Sequence, residues 1–223
     1  MEPALRSANY IGEVWMILLL CASLILYAFV RVNYQSYFLL LKNGVINYRL
    51  ALQDIRESPV LSRRGLVYMI PFALIFWALA SWGLIQSNTS VQEHSLSLIK
   101  DIFIVVAGCY VMKIICIRMV EGLLGAEYGL EEYLFNIIYF LELGSVLGFP
   151  LLILGLYGPI EFAQPIFISL GIVAVITYVW RVLRGIVSAF RYNAPLQYII
   201  LYLCTLEILP LLVLSKLILN RLN

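Results

Sequence analysis

Apolar stretches about as long as a bilayer is thick recur from one end of this 223-residue chain to the other. Crossing the hydrocarbon core takes roughly 20 residues of helix. Six segments qualify: 14–30, 66–85, 98–117, 133–156, 160–180 and 196–219. Lipid offers the backbone no hydrogen-bond partners, so a spanning segment must satisfy its own amides, which makes each run a helix. Composition agrees. Hydrophobic residues are 63% of the chain and charged residues 13%, against about half and about a quarter in a soluble domain. So little charge cannot cover a soluble surface. The expected fold is all-α: a single integral-membrane domain over 1–223 with six transmembrane helices.

The first run could be taken for a signal peptide. Its leading flank has only Arg6, offset by Glu2 and Glu13, and no small-x-small cleavage pattern follows it. It is therefore expected to be a retained helix.

Lys and Arg set the orientation. Six spans put the first, third and fifth connections on one side. They carry Arg31, Lys42, Arg49, Arg56, Arg63, Arg64, Arg118, Arg181, Arg184 and Arg191, ten in all. The other side carries Arg6, Lys100, Lys216 and Arg221. The richer side should be cytoplasmic, with both termini periplasmic. Trp15 and Trp82 near outer ends, and Trp180 near an inner end, fit interfacial anchoring.

The first connection is the longest. Tyr34, Phe38, Leu41, Val45, Tyr48, Leu52 and Ile55 alternate steps of four and three, one face of a helix over about 34–56. Lys42, Arg49 and Arg56 are seven apart along its flank. Such a helix can lie in the interface with these cations on lipid headgroups. Leu39, Ile46 and Leu50 interrupt its polar face, which favours packing on protein instead. The third connection is acidic, with Glu121, Glu127, Glu131 and Glu132 against Arg118, and docking on its basic neighbours is one reading of it.

Proline sits in the second, fourth and sixth spans, at Pro71, Pro150 and Pro210, where it can kink a helix. Arg118-x-x-x-Gly122 and Arg181-x-x-x-Gly185 also match, and Glu142 and Glu207 follow those arginines by 24 and 26 residues. A repeated hairpin would give this pattern, and so would chance placement of residues that membrane helices tolerate.

Glu142 and Glu207 are the most informative residues. Each lies about ten residues inside its span, some 15 Å deep at ~1.5 Å per residue. An acid there costs on the order of 3 kcal/mol, so protonation or a partner must relieve it. Lys113 is the nearest cation in sequence terms. One reading is an intramembrane polar site of Glu142, Glu207 and Lys113. The other is structural: each acid hydrogen-bonds backbone freed by Pro150 or Pro210. Gly144, Gly148 and Gly155 have the spacing of a close helix contact.

Motifs for chemistry are lacking. Cys21, Cys109, Cys116 and Cys204 all lie in apolar runs with no Cys-x-x-Cys pair, and His94 is the one histidine. No metal, cofactor or catalytic residue is expected, and loop basicity is explained by topology rather than by nucleic acid.

The segment Cys204-Thr-Leu-Glu207-Ile-Leu-Pro210, with the Arg31-x-x-Tyr34 exit from the first helix and the run Asn47-Tyr-Arg49-Leu-Ala-Leu-Gln53, resembles a Bacteroidota membrane family catalogued as domain of unknown function 4271. The resemblance implies a bacterial inner-membrane protein and no particular activity. Three functions follow as expectations. The first is a non-catalytic subunit, scaffold or assembly component of the cell envelope, with a protein partner or as a homo-oligomer in the bilayer. The second is a small oligomeric transporter or channel using Glu142 and Glu207. The third is an intramembrane enzyme acting on a lipid or polyprenyl substrate.

Overall fold

The computed structural model describes residues 14–46, 64–88, 96–124 and 130–191. They form six α-helices: α1 (Val14–Asn33), α2 (Gln35–Ile46), α3 (Arg64–Asn88), α4 (Leu96–Leu124), α5 (Leu130–Tyr157) and α6 (Ile160–Arg191). Five of these, all but α2, are long and apolar enough to cross a membrane. The expected sixth span, 196–219, lies outside the described residues, as do Arg49, Arg56, Glu127, Glu207, Pro210, Cys204 and His94.

Successive spans run antiparallel. Trp15 at the start of α1 meets Trp82 near the end of α3, their rings 6.1 Å apart and perpendicular. At the other end Phe29 and Tyr34 meet Tyr68. Arg118 near the end of α4 reaches Glu131 at the start of α5, and Glu132 on α5 meets Ser188 near the end of α6. One end of the bundle therefore collects Arg31, Arg64, Arg118 and Arg191, and is called the basic end below.

The core lies where α3 meets α5. Met69, Phe72, Phe76 and Leu79 form a stripe on α3 at helical spacing, all but fully buried. On α5 every residue from 132 to 142 is buried. A helix apolar nearly all round belongs at the centre of a bundle, and α5 has α3 and α6 as its main neighbours. The small residues of α5 admit aromatic rings rather than helix backbones. A Cβ on Gly148 would lie 2.5 Å from Phe76, and one on Gly144 2.8 Å from Trp77. Gly83 of α3 likewise makes way for Phe167 of α6.

Several elements depart from the sequence reading. α6 continues to Arg191 rather than ending near residue 180, and α4 continues to Leu124. Arg118, Arg181 and Arg184 are thus helical residues, not loop residues. A charged side chain ends an apolar run but not a helix, because Arg is a good helix former. α3 and α5 each run unbroken through Pro71 and Pro150, which face outward. Trp82 is 3% exposed and packs in the core against Trp15, so it is not an interfacial anchor. Trp180 is exposed.

Two of the acids around the third connection, Glu121 and Glu131, are held close to home. Arg118 holds Glu121 at 2.6 Å and Glu131 at 2.7 Å. All three side chains are partly exposed, so this triad should contribute no more than about 1 kcal/mol. Glu131→Gln is expected to lower the melting temperature slightly at low ionic strength, with the difference closing in high salt. A salt-independent loss would place Glu131 in a different interaction.

Candidate polar site at the basic end

The site begins with the break between α1 and α2. Asn33 ends α1 by turning its side-chain amide back to the Phe29 carbonyl, at 2.9 Å. Tyr34 is non-helical, though its amide still reaches the Val30 carbonyl. α2 then crosses the basic end of the bundle, as its contacts show. Near its start Tyr34 and Tyr37 lie against Gly65 of α3, and near its end Gly44 lies against Tyr139 of α5 and Arg184 of α6.

The inward stripe of α2 is Tyr37, Leu40, Leu41 and Gly44. The expected stripe, Tyr34, Phe38, Leu41 and Val45, is turned away from this by about one residue: Tyr34 and Phe38 are half-buried, and Val45 and Leu39 are exposed. The correction has a physical cause. Gly44 carries no apolar side chain, yet it is buried against the Tyr139 ring of α5. A Cβ there would stand 2.5 Å from the Tyr139 ring. A hydrophobicity pattern passes over such a position. Lys42 is exposed on the outer side of α2.

Three polar contacts fasten α2 to the spans. Tyr37 donates its hydroxyl hydrogen to Glu142 Oε2 at 2.8 Å, both residues being buried. Tyr139 donates to the Leu41 carbonyl at 2.9 Å. Arg184 donates to the Gly44 carbonyl at 2.9 Å, and its guanidinium also lies over the Phe140 and Trp180 rings. Burial, followed by the Glu142 carboxyl, pushes the Tyr37 phenol far above its ordinary value. Tyr37 therefore keeps its proton.

Glu142 is fully buried. Its partner is a tyrosine of α2, not backbone freed by Pro150, which corrects the structural reading of this acid. Its own carbonyl accepts from Ser145 at 2.7 Å. The adjacent Leu141 carbonyl accepts from Trp77 Nε1 at 3.1 Å, tying α5 to α3 one residue away. Oε1 of Glu142 is buried and accepts no hydrogen bond among the described residues.

Lys113, the cation named with Glu142, is buried on α4. The Glu142 carboxyl takes its hydrogen bond from Tyr37 of α2. Glu207 lies outside the described residues.

Sequence reasoning missed most of the surrounding polar groups. Glu132, Asn136, Tyr139, Glu142 and Ser145 recur on α5 at steps of four and three, and all five are buried. Glu132 accepts from Ser188 of α6 at 2.9 Å. That recurrence of polar residues in an otherwise apolar helix was the available signal. Among the described residues no three His, Cys, Asp or Glu side chains come together as a metal site needs.

No curated protein and no solved structure matches the chain. A family model described as "Domain of unknown function (DUF4271)" matches residues 16–218, nearly the whole length, and the chain belongs to that family.

Proposed function

We propose that the chain is a non-catalytic component of a bacterial inner membrane: a subunit, scaffold or assembly factor of the cell envelope. The observation that carries this reading is the use made of the buried polar groups. Glu142, Tyr139, Arg184 and Glu132 each bond another helix, and the first three fix α2 across the basic end. Polar residues in membrane bundles that bond helix to helix act as structural ties. Meanwhile α4 and α6 turn long apolar faces outward. Val111, Met112, Ile115 and Met119 are exposed on α4, and Ile172, Val175, Ile176, Val179 and Leu183 on α6. Such faces suit lipid or a partner's transmembrane helices.

The excess of Lys and Arg at the basic end supports a cytoplasmic placement for it and periplasmic termini. Lys42 on the exposed side of α2 suits an anionic headgroup, with Arg49 and Arg56 continuing its spacing.

Native mass spectrometry after gentle affinity purification from the host membrane tests the proposal. A stoichiometric second protein is the expected result. A lone chain, or a homo-oligomer that moves a solute in liposomes, would contradict it. One observation favours a second reading, a small oligomeric transporter or channel using Glu142 and Glu207: the buried Oε1 of Glu142 has no donor among the described residues. Transport that survives Glu142→Gln unchanged would remove this acid from such a mechanism.

A further inference from the structure

A groove of about 330 Å³ opens between α4 and α6, floored by Trp77 of α3 and Leu141 of α5. Tyr110 of α4 lines one side, and Val175, Tyr178 and Arg181 of α6 line the other. Val175 is 62% exposed, so the groove opens onto the apolar face that α6 turns outward. Trp77 gives its indole N–H to the Leu141 carbonyl. Thr177, also on the wall, gives its hydroxyl hydrogen to carbonyls of its own helix. Neither donates to a bound molecule, and a polar solute would lose its hydration in this mostly apolar groove without compensation. The one charge on the wall, among the described residues, is Arg181.

We propose that the groove is a lipid site: it takes one acyl chain of an anionic glycerophospholipid whose phosphate meets the Arg181 guanidinium. Depth, polarity and size support this. Between Glu161 and Arg181, α6 carries 19 uncharged residues, 162–180. At ~1.5 Å each they span roughly 28 Å, close to the ~30 Å thickness of the hydrocarbon core. Arg181 therefore stands where α6 leaves the hydrocarbon at the basic end. Tyr178 lies about one turn deeper and Val175 about two. The groove is thus cationic at headgroup level and apolar below it, the order of polarity along a phospholipid.

Basic pockets between membrane helices bind anionic lipid headgroups. A guanidinium has five N–H donors, so Arg181 can bind a phosphate oxygen alongside its other contacts, among them the Tyr178 ring at 4.8 Å. The volume is at the small end of ligand pockets, which run from roughly 300 to 1,000 Å³. It has room for one alkyl chain and not for a helix. The site is independent of the function proposed above and holds equally for a subunit or a transporter.

Photolabelling of the full chain in phosphatidylcholine vesicles tests it. The probe is a small fraction of phosphatidylglycerol, or of phosphatidylcholine, with a diazirine on one acyl chain, and labelled residues are mapped by proteolysis and mass spectrometry. The anionic probe is expected to label Tyr110, Ala174 and Val175 about fivefold more than the zwitterionic probe does. Leu24 and Ile25, exposed on α1 and also about two turns from the basic end, should be labelled alike by both. Equal labelling of the groove by the two probes would overturn the phosphate contact. Groove residues left unlabelled by either would mean that a protein segment or a second copy fills the groove, and would overturn the lipid. These comparisons use the wild-type chain, so they stand whether or not a variant folds. Arg181→Gln is expected to abolish the preference for the anionic probe, and a preference kept in that variant would overturn the role of Arg181. Inorganic phosphate added to the vesicles should leave the labelling unchanged; loss of label would overturn the lipid in favour of free phosphate.

Discussion

Glu142→Ala is expected to release α2 from the bundle and to destabilise the chain more than any other single loss of a polar side chain at the basic end. The substitution leaves the buried Tyr37 hydroxyl with no acceptor, and an unsatisfied buried group costs about 1–3 kcal/mol. It also leaves a void at a fully buried position of the central helix, for which large-to-small changes add about 1–2 kcal/mol. Amide hydrogen exchange in residues 35–46 should accelerate, and the melting temperature of the solubilised protein should fall. Glu142→Gln keeps an acceptor for Tyr37 and nearly the same volume, so it should stay close to wild type in both measurements. Equal behaviour of the two variants would show that Tyr37 needs no acceptor at this position.

Gly148→Leu should prevent correct packing of the three central spans. Even a Cβ at residue 148 would stand 2.5 Å from the Phe76 ring and 3.2 Å from Leu170. Those neighbours belong to α3 and α6, so relief on one side crowds the other. Overpacking a close-packed interior costs about 1–3 kcal/mol for a few added methylenes, and a whole Leu side chain here lies at or above that range. Gly108→Leu is the matched control. Gly108 is exposed on α4 with nothing within 4 Å of an added Cβ, so that variant should be recovered like wild type. Recovery from membranes as a monodisperse species separates the outcomes, and equal recovery of both leucine variants would contradict the packing described between α3, α5 and α6.

The spans were legible in the sequence because crossing lipid imposes length and apolarity on each one separately. Glu142 was legible for a related reason: an acid inside such a run is rare enough to mark itself. Its partner was not. Tyr37 reaches it from a 12-residue helix that packs by shape, and the approach depends on Gly44 giving way to the Tyr139 ring. Periodicity of apolar residues points to Val45 as an inward position when the buried position is the glycine beside it. The extent of α4 and α6 was misjudged because apolarity ends at Arg118 and Arg181 while backbone hydrogen bonding continues. Arg184 then becomes a residue that reaches from α6 to α2, a role invisible when it is counted as loop charge. Trp82 shows the converse. A tryptophan near a helix end reads as an interfacial anchor, yet packing against Trp15 draws it into the core.

The Tyr37–Glu142 hydrogen bond ties α2 to the central helix, and a double-mutant cycle on it is the most direct test of that tie. Tyr37→Phe, Glu142→Ala and the pair of changes together would be compared by reversible unfolding of the solubilised chain, with hydrogen exchange over 35–46 as a second readout. The hydrogen bond predicts that the two changes are not additive, with a coupling of at least about 1 kcal/mol, and that residues 35–46 exchange faster in all three variants. Additive effects with unchanged exchange over 35–46 would mean that α2 is held by other contacts and that Glu142 is not its tie to the bundle.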